Sequence, residues 1–257
     1  MINLLIPALL FLVGAAIGSF LNVCIARIPE NKSIISPPSH CPVCKKPIIF
    51  YDNIPLLSYI VLNGRCRTCR MPIPFYYFFI ELLTPLITLV LYAYFDLSIP
   101  FLLACLFTYA LIVITVIDYH HKIIPNVISL PGIPIGLLCS LFVPWTDIQS
   151  SLIGLIAGGG ILYLIAKGYY LLRKEEGMGA GDVKLLAMIG AFLGWKGALI
   201  SLMLGAFIGT IVGIAMMLFR GKNVKYAIPF GPFLSIGAFC ALVWGNTLVS
   251  WYLSLGQ

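Results

Sequence analysis

Charge is scarce in this chain. Its 257 residues hold 9 acidic and 16 basic side chains, 10% of the total, whereas a water-soluble domain ordinarily carries about 25%. Long apolar stretches run without the strict apolar/polar alternation of barrel strands, which excludes an outer-membrane barrel. No basic residue precedes the first apolar run, so that run lacks the charged start of a secretory signal and reads as a membrane helix. A Rossmann-type glycine fingerprint is missing as well, and nothing in the residues themselves points to a bound nucleotide.

What the chain has in abundance is hydrocarbon. It is 61% hydrophobic with a mean hydropathy of +1.04. Nearly uncharged apolar runs cover residues 4–26, 97–117, 127–145, 148–166, 198–219 and 227 onward, and two more, 78–95 and 183–195, hold one ionisable residue each, Glu81 and Lys184. Most approach the ~20 residues a helix needs to cross ~30 Å of hydrocarbon. The expectation is an all-α polytopic membrane protein of about eight transmembrane helices, embedded in a lipid bilayer. The 13-residue run 183–195 would be a short crossing of roughly 20 Å. The organisation expected is a first transmembrane helix over 1–28, a polar loop over 29–76, and a seven-helix membrane core over 77–257.

If eight helices alternate, 15 of the 16 Lys and Arg residues fall on one side of the membrane and only Lys196 on the other. The positive-inside rule makes the rich side cytosolic and puts both termini outside. The net charge of +7 is then topology, aided by anionic lipid, and no nucleic-acid partner is expected.

The polar loop carries "HCPVCKKPI" and "GRCRTCR". Cys41/Cys44 and Cys66/Cys69 are two C-x-x-C pairs, 21 residues apart, a spacing close to that of a four-cysteine structural zinc site. A disulfide pair is the alternative, and a cytosolic loop disfavours it. Lys45, Arg65 and Arg67 suit the neighbourhood of an anionic Zn(Cys)₄ unit. Cys24, Cys105, Cys139 and Cys240 stand singly in apolar runs and read as core residues.

Of the nine acids, Glu81, Asp118 and Asp182 lie at membrane depth, where burying an ionisable group costs at least about 2.5 kcal/mol and marks a functional candidate. Asp118 closes one apolar run in "ITVIDYHHKIIPN", and Asp182 opens another in "GMGAGDVKLL". Two carboxylates that converge share a proton and split into a base and an acid, as attack of water on a peptide bond requires. By its place at a helix start, Asp182 is expected to be the base, and Asp118, at a helix end, the acid. Gly179 and Gly181 are either a flexible linker or a loop over which an extended substrate backbone approaches closely. His120 and His121 lack a further ligand at helical spacing and read as a boundary feature. Gly14/Gly18, Gly205/Gly209/Gly213 and the triplet at 158–160 have the look of close helix packing.

Taken in order, "GSFLNVCIARIP", "SPPSHCPVCKKPI", "DNIPLLSY", "GRCRTC", "ELLT", "IDYHHKIIPN" and "GMGAGDVKLLAMIGAFLGW" resemble the type IV prepilin peptidase family, membrane aspartic peptidases with a G-x-G-D motif. In "FYYFFIE", Tyr76 and Phe78 stand where that family commonly has Arg and Pro. The resemblance implies eight helices and a cytosolic zinc-binding loop in the bacterial inner membrane. It further implies cleavage at the cytosolic face of the short basic leader of prepilin and pseudopilin substrates, and methylation of the new N-terminus with S-adenosylmethionine. It matches Asp118 and Asp182 to the catalytic pair and Cys41, Cys44, Cys66 and Cys69 to the zinc ligands. The rival readings are a proton-coupled transporter that relays protons through the same two acids, and a zinc-organised adaptor, which would leave both acids idle.

Overall fold

A computed structural model describes residues 2–174, 179–220 and 228–254. Gly177 of the glycine-rich motif, and Lys222 and Lys225 of the topology argument, lie outside the described residues. The described chain is all-helical apart from two isolated β-bridges. In order come α1 (Ile2–Arg27), a short 3-10 turn (Phe50–Asn53), α2 (Leu57–Val61), α3 (Phe75–Phe95), α4 (Ile99–His121), α5 (Asn126–Cys139), α6 (Ile148–Arg173), α7 (Ala180–Arg220) and α8 (Gly231–Ser254). Two compact units result, 1–97 and 98–257.

Six helices among the described residues, α1, α3, α4, α6, α7 and α8, are long and apolar enough to cross a membrane. With the family likeness reported below, this is a multi-pass membrane protein. Three of the eight expected spans take a different form. The run 127–145 yields only the 14-residue α5, about 21 Å long, because the helix stops at Ser140. The runs 183–195 and 198–219 join in the 41-residue α7, which Gly194 interrupts with φ 72° and ψ 178°. Only glycine enters that region freely. A Cβ on Gly194 would also lie 2.6 Å from Thr146 Oγ1, and beside the break the Trp145 indole donates to the Phe192 carbonyl at 3.1 Å.

In the first unit α3 packs along α1. Gly14 and Gly18 form the contact face: a Cβ on Gly14 would lie 2.7 Å from Pro85 Cα, and one on Gly18 2.9 Å from Glu81 Cα. Their four-residue spacing is thus a backbone-to-backbone crossing, as small residues permit in membranes. In the second unit Gly154 of α6 and Gly190 of α7 meet so closely that a Cβ on either would run into the other's backbone. Gly205 and Gly209 face Phe233 of α8. Of the glycine triplet, Gly158 abuts Leu186 and Gly159 abuts Ala187, while Gly160 faces open space.

Outward faces are largely apolar, with Leu9, Leu12, Leu102, Leu106, Ile156 and Phe207 exposed, and buried faces carry polar residues such as Asn22, Thr84, Thr108 and Asp118. On α4 the buried stripe Ala104, Phe107, Leu111 and Ile114 continues to Asp118. On α7, Asp182 begins a stripe that runs through Leu185, Leu186, Ile189 and Phe192. Spacings of three and four put each acid on the inward face of its helix. The Phe107 and Phe192 rings stack at 4.6 Å between the two helices.

Candidate active site

The two stripes bring Asp118 and Asp182 to one cavity of about 270 Å³, lined also by Lys122, Ile124, Asn126, Gly179, Gly181 and Lys184. The carboxylates are close enough for the charge of Asp118 to act on Asp182. Asp118 is 5% exposed and accepts the Gly231 N–H of α8 through Oδ2 at 2.9 Å. Asp182 is half-buried. It sits three residues after Gly179, donates its own N–H to the Gly179 carbonyl at 3.1 Å and accepts the Gly179 N–H with its carboxylate. With Gly179 as the N-cap of α7, the Asp182 carboxylate supplies one half of a capping box, and Gly179, which has no side chain, returns only its main-chain carbonyl.

The expected division of roles by helix ends loses its basis here. Asp118 does close α4, but its carboxylate reaches the first N–H of α8, so both acids face the positive start of a helix. Helix ends therefore do not tell the base from the acid.

The two glycines of the motif differ. At Gly181 the room a Cβ would occupy is already taken by Ile124, with Cβ 2.9 Å and Cγ1 3.3 Å away. At Gly179 the nearest group is Asp182 Oδ2, 3.6 Å off, an ordinary contact. Gly181→Val should therefore drive Ile124 and the start of α7 apart and lower the cleavage rate by about 100-fold, while Gly179→Ala should retain most of it. Initial rates on a peptide substrate, normalised to folded protein, check both.

Asn126 and Lys184 were not among the expected site residues. Lys184 Nζ donates to Asn126 Oδ1 at 2.9 Å, tying the start of α5 to α7 beside the acids. His120 and His121 are exposed. The third acid at membrane depth serves elsewhere: Glu81, in the first unit, accepts the Leu56 N–H at 2.8 Å and a hydrogen bond from Ser19. Leu56 has φ 64° and ψ −51°, and Leu57 N–H bonds Pro55 O at 2.7 Å. This is the strained form of the γ-turn, and Glu81 holds it.

The first unit also carries the cysteine quartet. The two C-x-x-C pairs fold alike: Cys41 N–H bonds Lys46 O and Cys66 N–H bonds Met71 O, while Lys45 and Arg70 donate back to the carbonyls of Cys41 and Cys66. Lys45 and Arg70 both take positive φ, 61° and 58°. All four sulfurs lie within 4.8 Å of one another, with Cys41 and Cys69 at 3.7 Å. Tetrahedral Zn–S bonds of ~2.3 Å require sulfurs about 3.8 Å apart, so the quartet fits the ion. The backbone N–H groups of Cys69 and Thr68 hold the Cys66 thiol down at about 6 and the Cys44 N–H lowers that of Cys41, while burial and the neighbouring sulfurs push the Cys69 thiol up to about 11, so two of the four already lean toward the thiolate form a metal takes. Arg67 does not turn to the sulfurs. It grips Asp52 in two bonds of 2.7 and 2.6 Å, which keeps the Asp52 carboxyl below its usual range and joins the second knuckle to the 3-10 turn.

Comparison with known proteins identifies the family. The Bacterial Peptidase A24 N-terminal domain matches residues 12–95, and the Type IV leader peptidase family matches residues 105–214. A "Prepilin leader peptidase/N-methyltransferase" of Aeromonas salmonicida (strain A449) is 38% identical over 96% of this chain and 94% of its own length. The chain belongs to the type IV leader peptidase family. Proteins of the same name in Legionella pneumophila (34% identical; 98% of this chain, 99% of that one) and Pseudomonas aeruginosa (32%; 94% and 91%) are similar throughout. No solved structure matches. In the leader peptidase family setting, the cavity with its paired acids lies in the stretch matched to the peptidase itself, and the cysteine quartet in the stretch matched to the N-terminal domain.

Proposed function

We propose that Asp118 and Asp182 are the catalytic pair of a membrane aspartic peptidase that removes the leader from prepilins and pseudopilins. The observation that carries this is the convergence of two membrane-depth carboxylates on one cavity. Two acids so placed hold one proton between them. The ionised carboxylate takes a proton from water as the water oxygen attacks the scissile carbonyl, and the protonated carboxyl gives its proton to the carbonyl oxygen, leaving a tetrahedral diol. The carboxyl that took the water proton then passes it to the amide nitrogen while the other takes back a diol proton, the C–N bond breaks, and the pair is restored with the leader ending in a carboxyl group. Gly179 and Gly181 would border the path of the substrate backbone.

The chain would cross the bacterial inner membrane eight times, with α7 counted as two arms about Gly194. The Lys- and Arg-rich connections would lie in the cytosol, together with the cysteine quartet and the mouth of the active site. Zinc held by Cys41, Cys44, Cys66 and Cys69 would be structural, since four thiolates close its coordination.

Relatives named N-methyltransferase support a second step on the new N-terminus. S-adenosylmethionine, when bound, would supply the methyl group. A cavity of about 310 Å³ in the first unit offers Arg27 for a carboxylate, Asn53 for a polar edge, and Phe20 with Ile34 and Pro38 for an aromatic base. That donor set fits the group.

The test is the purified protein in liposomes, given a prepilin with a basic leader. Mass spectrometry should show a single cut at the end of the leader, and a gain of one methyl group only when S-adenosylmethionine is added. Uncut precursor, with proton uptake by the vesicles instead, would favour the transporter.

A further inference from the structure

We infer that Gly231, at the start of α8, is a positioning residue of the peptidase centre that holds Asp118 in its working place. The inference rests on the reading of Asp118 as half of the catalytic pair. Gly231 lies beyond the stretch 105–214 matched to the peptidase family, and 113 residues from Asp118 in sequence.

A buried carboxylate needs hydrogen-bond donors to hold it in place and to offset its lost solvation. The first turn of a helix has N–H groups that no carbonyl of its own takes. In α8 most of these are already spent. Pro232 has none, and Phe233 and Leu234 both donate to the Phe230 carbonyl at 3.1 Å. The Gly231 N–H remains, and Asp118 Oδ2 takes it at 2.9 Å. The sequence "FGPF" at 230–233 thus leaves the helix start with one donor, aimed at one acceptor.

Glycine is required there by contact. A Cβ on residue 231 would lie 2.6 Å from Asp118 Oδ2, 3.1 Å from its Cγ and 3.4 Å from its Cβ. Even a methyl group would have to push the carboxyl out of place. Gly179, which performs the same service for Asp182, leaves 3.6 Å. The two acids are therefore held alike in donor and unlike in tolerance: Asp182 accommodates a methyl neighbour and Asp118 does not. Gly231 does not line the cavity, so it acts on the reaction through Asp118 and not through the substrate.

Gly231→Ala in the full-length protein should lower kcat about 100-fold, the usual cost of misplacing a catalytic group by about 1 Å, and leave KM within about twofold. Gly237→Ala is the control on the same helix. Its Cβ would meet the Ser201 carbonyl at 2.5 Å, in helix packing remote from the acids, so it should lower Tm and leave kcat per folded molecule unchanged. A wild-type kcat for Gly231→Ala, or a loss that only follows Tm as in Gly237→Ala, overturns the inference. If Gly231→Ala folds poorly, Tm is read in the Asp118→Ser chain, where the shorter side chain relieves the clash. The Gly231→Ala loss of Tm should then largely disappear, and additive losses would contradict the contact. Cleavage by Asp118→Asn at the normal rate would sink the catalytic pair itself; an inactive Asp118→Asn beside a fully active Gly231→Ala would remove Gly231 alone.

Discussion

Asp182→Asn protein is expected to cleave a basic-leader prepilin at least about a thousandfold more slowly than the unaltered chain, and Asp118→Asn protein likewise, because each change removes one partner of a proton-sharing pair. Asparagine has the size of aspartate and keeps an acceptor oxygen. Residue 118 could still take the Gly231 N–H and residue 182 the Gly179 N–H. An amide is also less costly at membrane depth than a carboxylate, so insertion and folding should not suffer. The loss should therefore appear in kcat with Tm unchanged. A thermal melt run beside the cleavage assay separates the two, and robust turnover by either variant would remove that acid from the chemistry.

The second large effect concerns the metal. Protein purified without chelator is expected to carry one zinc ion per chain, and Cys41→Ser protein none. A structural zinc contributes roughly 10–16 kcal/mol in isolated knuckle-like peptides, and the extramembrane segment around it has little other core. Among the 40-odd residues between α1 and α3, Cys41 is the buried hydrophobic one. Proteolysis between residues 29 and 76 should accordingly become fast in Cys41→Ser and slow again in no amount of added zinc. Elemental analysis and timed digestion read both effects. Absence of metal, with the four cysteines joined as disulfides in cells, would overturn the site and the cytosolic placement of the loop together.

Much of this was legible in the sequence, because cost and spacing are local quantities. An acid at each of two helix boundaries in so apolar a chain stands out, and the C-x-x-C pairs declare a ligand set within a few residues. The same holds for Gly14 and Gly18, whose four-residue spacing was a packing face before any partner was known. What was not legible depends on residues distant in sequence. Gly231 meets Asp118 across 113 positions, and Lys184 meets Asn126 across 58. "FGPF" offered only a helix-start signal without saying what the start would face. The apolar runs 183–195 and 198–219 suggest two helices parted around Lys196, whereas they form one helix broken at Gly194, since the backbone turns where positive φ is cheap and not where a charge sits. Arg67 was read as a counter-charge to the thiolates and is instead paired with Asp52, because a carboxylate offers a planar guanidinium two parallel bonds and a sulfur does not.

The most direct test of the paired acids is a comparison of Asp118→Asn, Asp182→Asn and the double variant under single-turnover conditions, with enzyme in excess so that slow residual cleavage can be timed. If the two carboxylates act as one unit, losing either removes the function of both, and the double variant should be no slower than the slower single one, within about threefold. Losses that multiply, so that the double variant is slower by the product of the two single effects, would show two acids that act independently and would contradict the account.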